Sequence, residues 1–341
     1  PGGPTTTSGT RGRLNRLREA GVLEWNVPSQ ASDWLDRRER SARQKRLQQW
    51  LMPLTVRIPL FDADRLLAVL ASLARPIFGR AGFFGWMALI LAGTLLATLH
   101  WPELMEHWAA RGLDPQNLLL ALLLYPIIKA LHELGHGVAT KIWGGEVHEM
   151  GVMLLVLMPI PYVDASSSTA FASKRQRMVV GGAGIMVEAA LAAIALLVWL
   201  NVEPGWVRDA AFNVMLIGSV STLLFNGNPL LRFDGYYILA DALEIPNLGM
   251  RASRYLSYLT RRYVCGAIDL RSTETAGDER AWLVGYGIAS GIYRIFISLT
   301  IALFVASEWL VIGLVLGVWV IAGRIFFPVA RFLVELYRNP L

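Results

Sequence analysis

Six long apolar stretches constrain this chain more than any other feature. They lie at roughly 82–101, 117–141, 178–200, 209–228, 283–306 and 308–327. As a helix, each can cross a hydrocarbon layer of about 30 Å with about 20 residues. Inside such a layer only helices and closed barrels satisfy their own backbone polar groups. The fold class expected is therefore an all-α polytopic membrane protein with about six transmembrane helices. Composition agrees, because 54% hydrophobic and 17% charged residues do not describe an ordinary soluble domain. The segment 146–163, EVHEMGVMLLVLMPIPYV, is apolar but short and is broken by Pro159 and Pro161. It reads as a re-entrant or hairpin element buried against the bundle rather than as a seventh span.

Around these stretches the chain divides into four regions. Residues 1–60 form a basic region, expected to be cytoplasmic and partly disordered, with arginines among apolar residues at helical spacing; a solvated face and a bilayer-facing helix both suit it. Residues 61–80 predict an amphipathic interfacial helix with Asp62 or Asp64 near its start and Pro76 at its end. Residues 81–330 form the core, and 331–341 a basic tail. The opening PGGPTTTSGT has neither a methionine nor a secretory leader, so the chain is expected to be a piece of a longer protein.

Basic residues set the expected orientation. The N-terminal region, the loop with Lys174, Arg175 and Arg177, the loop with Arg251, Arg254, Arg261 and Arg262, and the tail with Arg324, Arg331 and Arg338 share one side. The connections on the other side hold only Arg111 and Arg208, together with Glu103, Glu106, Asp114, Glu203 and Glu308. Both termini are thus expected in the cytoplasm. The sequence pI of 9.6 reflects this asymmetry, so the partner surface expected is the lipid bilayer and not a nucleic acid.

The chemistry-bearing residues are few. Cys265 is the single cysteine, so an internal disulfide and a thiolate zinc site are both excluded. Five histidines, His100, His107, His132, His136 and His148, cannot build the many-histidine boxes of membrane di-iron enzymes. Two of them form His132-Glu133-x-x-His136 inside the second apolar stretch, in KALHELGHGVATKIWGG. One helical turn apart, their imidazoles can converge on one Zn²⁺, with Glu133 beside them to take a proton from the water that the metal activates. The plainer reading is two core histidines. It is weakened here by the cost of burying two imidazoles and a carboxylate in a membrane span without partners. Catalytic zinc usually takes three protein ligands. The best candidate for the third is Asp234, at the end of the fourth stretch in FNGNPLLRFDGYY, where Asn226, Pro229, Asp234 and Gly235 form N-x-x-P-x-x-x-x-D-G. The second and fourth spans run in the same direction, so both motifs can meet at one depth.

These two motifs resemble the site-2 protease family of intramembrane zinc metalloproteases. More narrowly, RIPLFDADRLL, HELGHG, MPIPYVDASS and NPLLRFDGYY are similar to a bacterial branch of peptide zinc metalloproteases, often fused to a membrane-fusion, adaptor-like region. The resemblance covers roughly residues 55–335. It implies that His132, His136 and Asp234 bind one Zn²⁺ per chain, that Glu133 is the general base, and that Asn226 and Pro229 shape the substrate site. It also implies a membrane-embedded or membrane-associated peptide or protein as substrate, with adaptor or export components as further partners. The chain holds no adaptor region. An extended substrate pairing with the 146–163 element fits this chemistry, because an unwound peptide needs partners for its backbone. The alternative is a peptide maturation or export partner whose zinc is mainly structural. A weaker third reading is a metal transporter.

Other residues have plainer explanations. His148 in EVHEM reads as part of a surface loop or strand rather than a fourth ligand, and Asp164 before a Ser/Thr cluster as a turn or cap. The small residues in VVGGAGIMVEAALAA suit close helix contact. Three charges, Lys129, Glu188 and Arg294, fall near the middle of the second, third and fifth stretches, where each alone is costly. The sequence predicts that Glu188 is ionised and pairs with Lys129, Arg294 or both; separate snorkelling cations and a protonated Glu188 are the competing arrangement.

Overall fold

The computed structural model describes residues 55–155, 158–264, 277, 279–326 and 330. The basic N-terminal region up to residue 54 and the tail at 331–341 lie outside the described residues. After strand β1 (Thr55–Phe61) come helices α1 (Asp64–Ala74), α2 (Arg80–Leu99), α3 (Trp101–Arg111) and α4 (Pro115–Ile142). Strands β2 (Met150–Leu155) and β3 (Met158–Val163) and a short turn of helix at Ser166–Ala170 lead to α5 (Lys174–Asn201) and α6 (Trp206–Ser221). Then follow α7 (Asp234–Ala242), α8 (Leu248–Leu259), α9 (Glu279–Glu308) and α10 (Leu310–Ile321).

Five helices among the described residues are long and apolar enough to cross a membrane: Arg80–Leu99, Pro115–Ile142, Lys174–Asn201, Trp206–Asn226 and Glu279–Ser307. They occupy the first five apolar stretches. The last stretch holds helix α10, 12 residues long and continued without a break by a widened turn at Ala322–Phe326; residues 327–329, where the stretch ends, lie outside the described residues. Large apolar side chains such as Leu91, Leu95, Leu99, Leu122, Leu123, Leu303 and Trp319 stand exposed on these helices, as an apolar surround requires.

The chain is predominantly helical, as expected of an all-α membrane protein, and carries one small sheet. The 146–163 element is a β-hairpin, and β1, which the sequence reading left in the N-terminal region, joins it in a three-stranded sheet ordered β1-β2-β3. β2 and β3 are antiparallel, with Met150 opposite Val163 and Leu155 opposite Met158. The Asp164 N–H to Glu149 carbonyl bond of 2.9 Å continues this ladder. By the alternation of such ladders, Ile160 and Tyr162 bond towards β2, whereas the nitrogens of Pro159, Pro161 and Val163 face the open side of β3. The two prolines therefore cost the sheet no hydrogen bond.

α1 starts at Asp64 and ends before Pro76, close to the expected place. Its buried Leu67 and Ala71 pack with Val138 of α4 and with Val147, while Leu66, Val69 and Leu73 on its other face are exposed. The helix is thus clamped to the bundle on one side and open on the other. The connection between the first two apolar stretches is mostly helix α3. Its Leu104 packs with Leu196 and Trp199 of α5 and Phe212 of α6.

The centre of the bundle is α4, α5 and α6, brought close by glycines. A Cβ on Gly135 would lie 2.9 Å from Val187 Cγ2 and 3.1 Å from the Ala183 carbonyl, and one on Gly218 would lie 2.8 Å from the Glu188 carbonyl. The small-residue stretch of α5 does make close helix contact. A buried pair, Asn213 Nδ2 to Asn117 Oδ1 at 2.7 Å, ties α6 to α4; in an apolar surround such a bond has no competing water.

Candidate metal centre

His132 and His136 project from one face of α4, and Asp234 opens α7. Their ligand atoms all lie within 4.8 Å of one another. His132 Nε2 is 3.0 Å and His136 Nε2 3.5 Å from Asp234 Oδ2, and the two Nε2 atoms are 3.1 Å apart.

The outer faces of both rings show which atoms carry protons. His136 Nδ1 is 2.7 Å from the Val180 carbonyl, which can only accept, so Nδ1 holds the proton and Nε2 presents a lone pair. His132 Nδ1 is 3.0 Å from Glu188 Oε1, at contact distance though not in line for a well-directed hydrogen bond. An ionised carboxylate assigns it the same tautomer. Two imidazole lone pairs and a carboxylate oxygen then face one another. Asp234 Oδ2 is buried and without a hydrogen-bond donor. Three converging acceptors repel unless a cation sits among them, and two imidazoles with one carboxylate are a donor set that suits zinc.

Several local features build this arrangement. Gly184 of α5 makes room for the His132 ring, since a Cβ there would overlap its Nε2, Cε1 and Cδ2 atoms. Gly235 follows Asp234 because a Cβ there would meet the Gly227 carbonyl carbon at 2.6 Å and Asn228 C at 3.0 Å. The D-G pair thus lets the 227–233 turn close onto the start of α7. Arg177 of α5 bonds Asp241 Oδ1 of α7 at 2.7 Å and the Phe171 carbonyl at 2.7 Å, which holds α7 against α5.

Glu133 stays outside the ligand set. It is half-buried, and its Oε2 accepts the Val163 N–H at 3.2 Å. Asn226 is buried at the end of a widened helical turn, Thr222–Asn226, that continues α6; such turns are frequent at functional sites. Pro229 is exposed in the turn between Asn226 and Asp234. His148 is not part of the site: it is exposed, between Asp62 Oδ2 at 3.3 Å and Glu146 Oε2 at 3.1 Å. Asp164 accepts the Ser166 N–H at 3.0 Å, the turn role expected of it.

Of the pairings expected for Glu188, the structure has the one with Lys129. Lys129 Nζ is 2.6 Å from Glu188 Oε1 and also bonds Ser221 Oγ at 2.8 Å. Arg294 takes no place on Glu188; it lies within electrostatic reach of Tyr286 instead. Sequence reasoning missed two further groups on Glu188 Oε2: Thr222 Oγ1 at 2.6 Å and Asn226 Nδ2 at 3.1 Å. A threonine in an apolar run gives no signal of its own. No protein-family profile, curated protein or solved structure matches the chain.

Proposed function

We propose that this chain is an intramembrane zinc metalloendopeptidase of the site-2 protease kind, hydrolysing peptide bonds of membrane-embedded or membrane-associated peptides. The observation that carries the reading is the convergence of His132 Nε2, His136 Nε2 and Asp234 Oδ2 within 4.8 Å, with Glu133 beside them and free of ligand duty. Zinc held by these three residues would supply a Lewis acid and a water of lowered pKa. Glu133, beside the ligands but not one of them, would accept a proton at its carboxylate and hand it on to the leaving amine. The Val163 N–H holds one oxygen of that carboxylate at 3.2 Å. A purely structural site needs no such base, which weighs against the export-partner reading.

The open side of β3 suits an extended substrate. It offers the carbonyls of Pro159 and Pro161 as acceptors, and it ends at Val163 beside Glu133. A peptide laid along it would donate N–H groups to those carbonyls and run towards the base. Asn226 and Pro229 then border the site on the α7 side. The distribution of basic residues favours a site near the cytoplasmic face of a bacterial inner membrane, with both termini inside, and adaptor or export components would be further partners.

Purified protein should hold about one zinc per chain. His132→Ala and Asp234→Ala should lose most of it, and Glu133→Gln should keep zinc while abolishing cleavage of membrane peptides. Full zinc and activity in Asp234→Ala would overturn the ligand set; cleavage by Glu133→Gln would overturn the role of the base.

A further inference from the structure

We infer that Glu188 is a positioning residue of the metal centre, a single buried carboxylate that sets both the first histidine ligand and Asn226. Glu188 is fully buried on α5, yet it is shared among three helical elements. Its Oε1 lies 2.6 Å from Lys129 Nζ and 3.0 Å from His132 Nδ1 on α4. Its Oε2 accepts from Thr222 Oγ1 at 2.6 Å and Asn226 Nδ2 at 3.1 Å in the widened turn after α6. One oxygen therefore faces the ligand helix, and the other faces the turn that leads into Asp234.

Three consequences follow. At 3.0 Å from His132 Nδ1, Glu188 Oε1 is an electrostatic neighbour that favours a proton on that nitrogen and leaves Nε2 free for a metal. Through Thr222 and Asn226 it ties the depth of the N-x-x-P turn to the depth of the histidines, so the two motifs keep one spacing. Lys129 donates to the same carboxylate at 2.6 Å, so the two groups are buried as a pair rather than singly. Ser221 in turn accepts from Lys129, so the whole chain of contacts closes within the α4–α5–α6 core.

A merely structural ion pair and a positioning carboxylate make opposite predictions when both charges are removed. In Lys129→Met/Glu188→Gln no buried charge is left unpaired, so a structural role predicts that zinc binding returns to normal. The positioning role predicts that the double variant folds yet binds zinc about 10–100-fold more weakly. It also predicts an altered visible absorption spectrum of the Co²⁺-loaded protein, because the amide cannot serve both sides as the carboxylate does. The full chain in detergent, titrated with zinc against a chelator and then with cobalt, reads both. Thr222→Val, which removes one bond to Oε2 at nearly constant shape, serves if the double variant does not fold; it should weaken zinc by a few-fold.

Wild-type affinity and an unchanged cobalt spectrum in the double variant, or unchanged zinc affinity in Thr222→Val, would overturn the inference. It rests on the zinc reading of the site. Wild-type protein that takes up neither zinc nor cobalt would overturn both, whereas normal wild-type binding with unaltered variants would overturn this one alone.

Discussion

The backbone N–H of Val163, the last residue of β3, points at the Glu133 carboxylate 3.2 Å away. A strand end and a helical side chain 30 residues earlier in sequence are thereby locked together. The bond exists because the nitrogens of residues 159, 161 and 163 all face away from β2, and two of the three carry proline rings. Val163 has the one N–H of this set, and Glu133 takes it.

Val163→Pro removes that donor and exchanges a valine packed against the Leu67–Val138–Val147 cluster for a proline ring. The neighbouring strand positions already accept proline on this side, and Tyr162 before it is already extended, as a residue preceding proline should be. A hydrogen bond to a charged group contributes about 1.5–3 kcal/mol. Cleavage should therefore fall by about tenfold or more, with zinc content unchanged. Rate and zinc content measured on the same preparation check this, and a normal rate would free Glu133 from the strand.

Orientation has its own test. In a Cys265→Ser background, cysteines placed at Arg111 and Pro204 should react with an impermeant thiol reagent added outside intact cells, and one at Arg254 should not. The distribution of basic residues requires this pattern; the reverse pattern would put the metal centre at the opposite face.

At the base of α1, Asp64 accepts from Lys141 Nζ at 2.5 and 2.6 Å and from the Val147 N–H at 3.1 Å. It ties the start of α1 to the end of α4 and to the segment entering the hairpin. The lysine first, and the Val147 N–H second, hold its carboxyl below the ordinary 3.8. A lowered carboxylate contributes stability that is fully present above its unfolded pKa and lost as pH falls through its folded one. Asp64→Asn should accordingly melt at a lower temperature than wild type at pH 7, and the difference should shrink below about pH 4. A gap that persists unchanged at pH 3 would remove the carboxylate from the account.

How much of this was legible depended on whether a feature carried its own physical cost. His132 and His136 were readable because one helical turn fixes their convergence, and Asp234 because two parallel spans put both motifs at one depth. Glu188 and Lys129 were readable as partners because each alone is expensive in an apolar layer. Arg294 was not, because nothing in the sequence says that α9 packs against α8 and α10 rather than against α5. β1 was missed although TVRIPLF alternates, since seven residues beside a basic region are a weak signal. Thr222 and Ser221 were invisible for a different reason: a hydroxyl in a helix is cheap, and its partner is set only by tertiary packing.

Gly184 and Gly181, one turn apart on α5, make the sharpest paired test of the site's construction. A Cβ at Gly184 would overlap the His132 ring, and the ring has nowhere to retreat, because its other edge lies against Glu188 and its helix is packed on α5 through Gly135. A Cβ at Gly181 would meet Ile238 Cγ1 at 3.4 Å, an ordinary contact. Gly→Ala within a helix is otherwise favourable by about 0.5–1 kcal/mol. Gly181→Ala should keep its zinc and melt no lower than wild type. Gly184→Ala should lose most of its zinc, and in spite of the better helix former it should melt lower, because overpacking typically costs about 1–3 kcal/mol. Zinc content and melting temperature of the two variants, measured side by side, decide the point. Equal zinc in both would mean that the His132 ring does not rest against Gly184 and that the α4–α5 contact is looser at the metal centre than described.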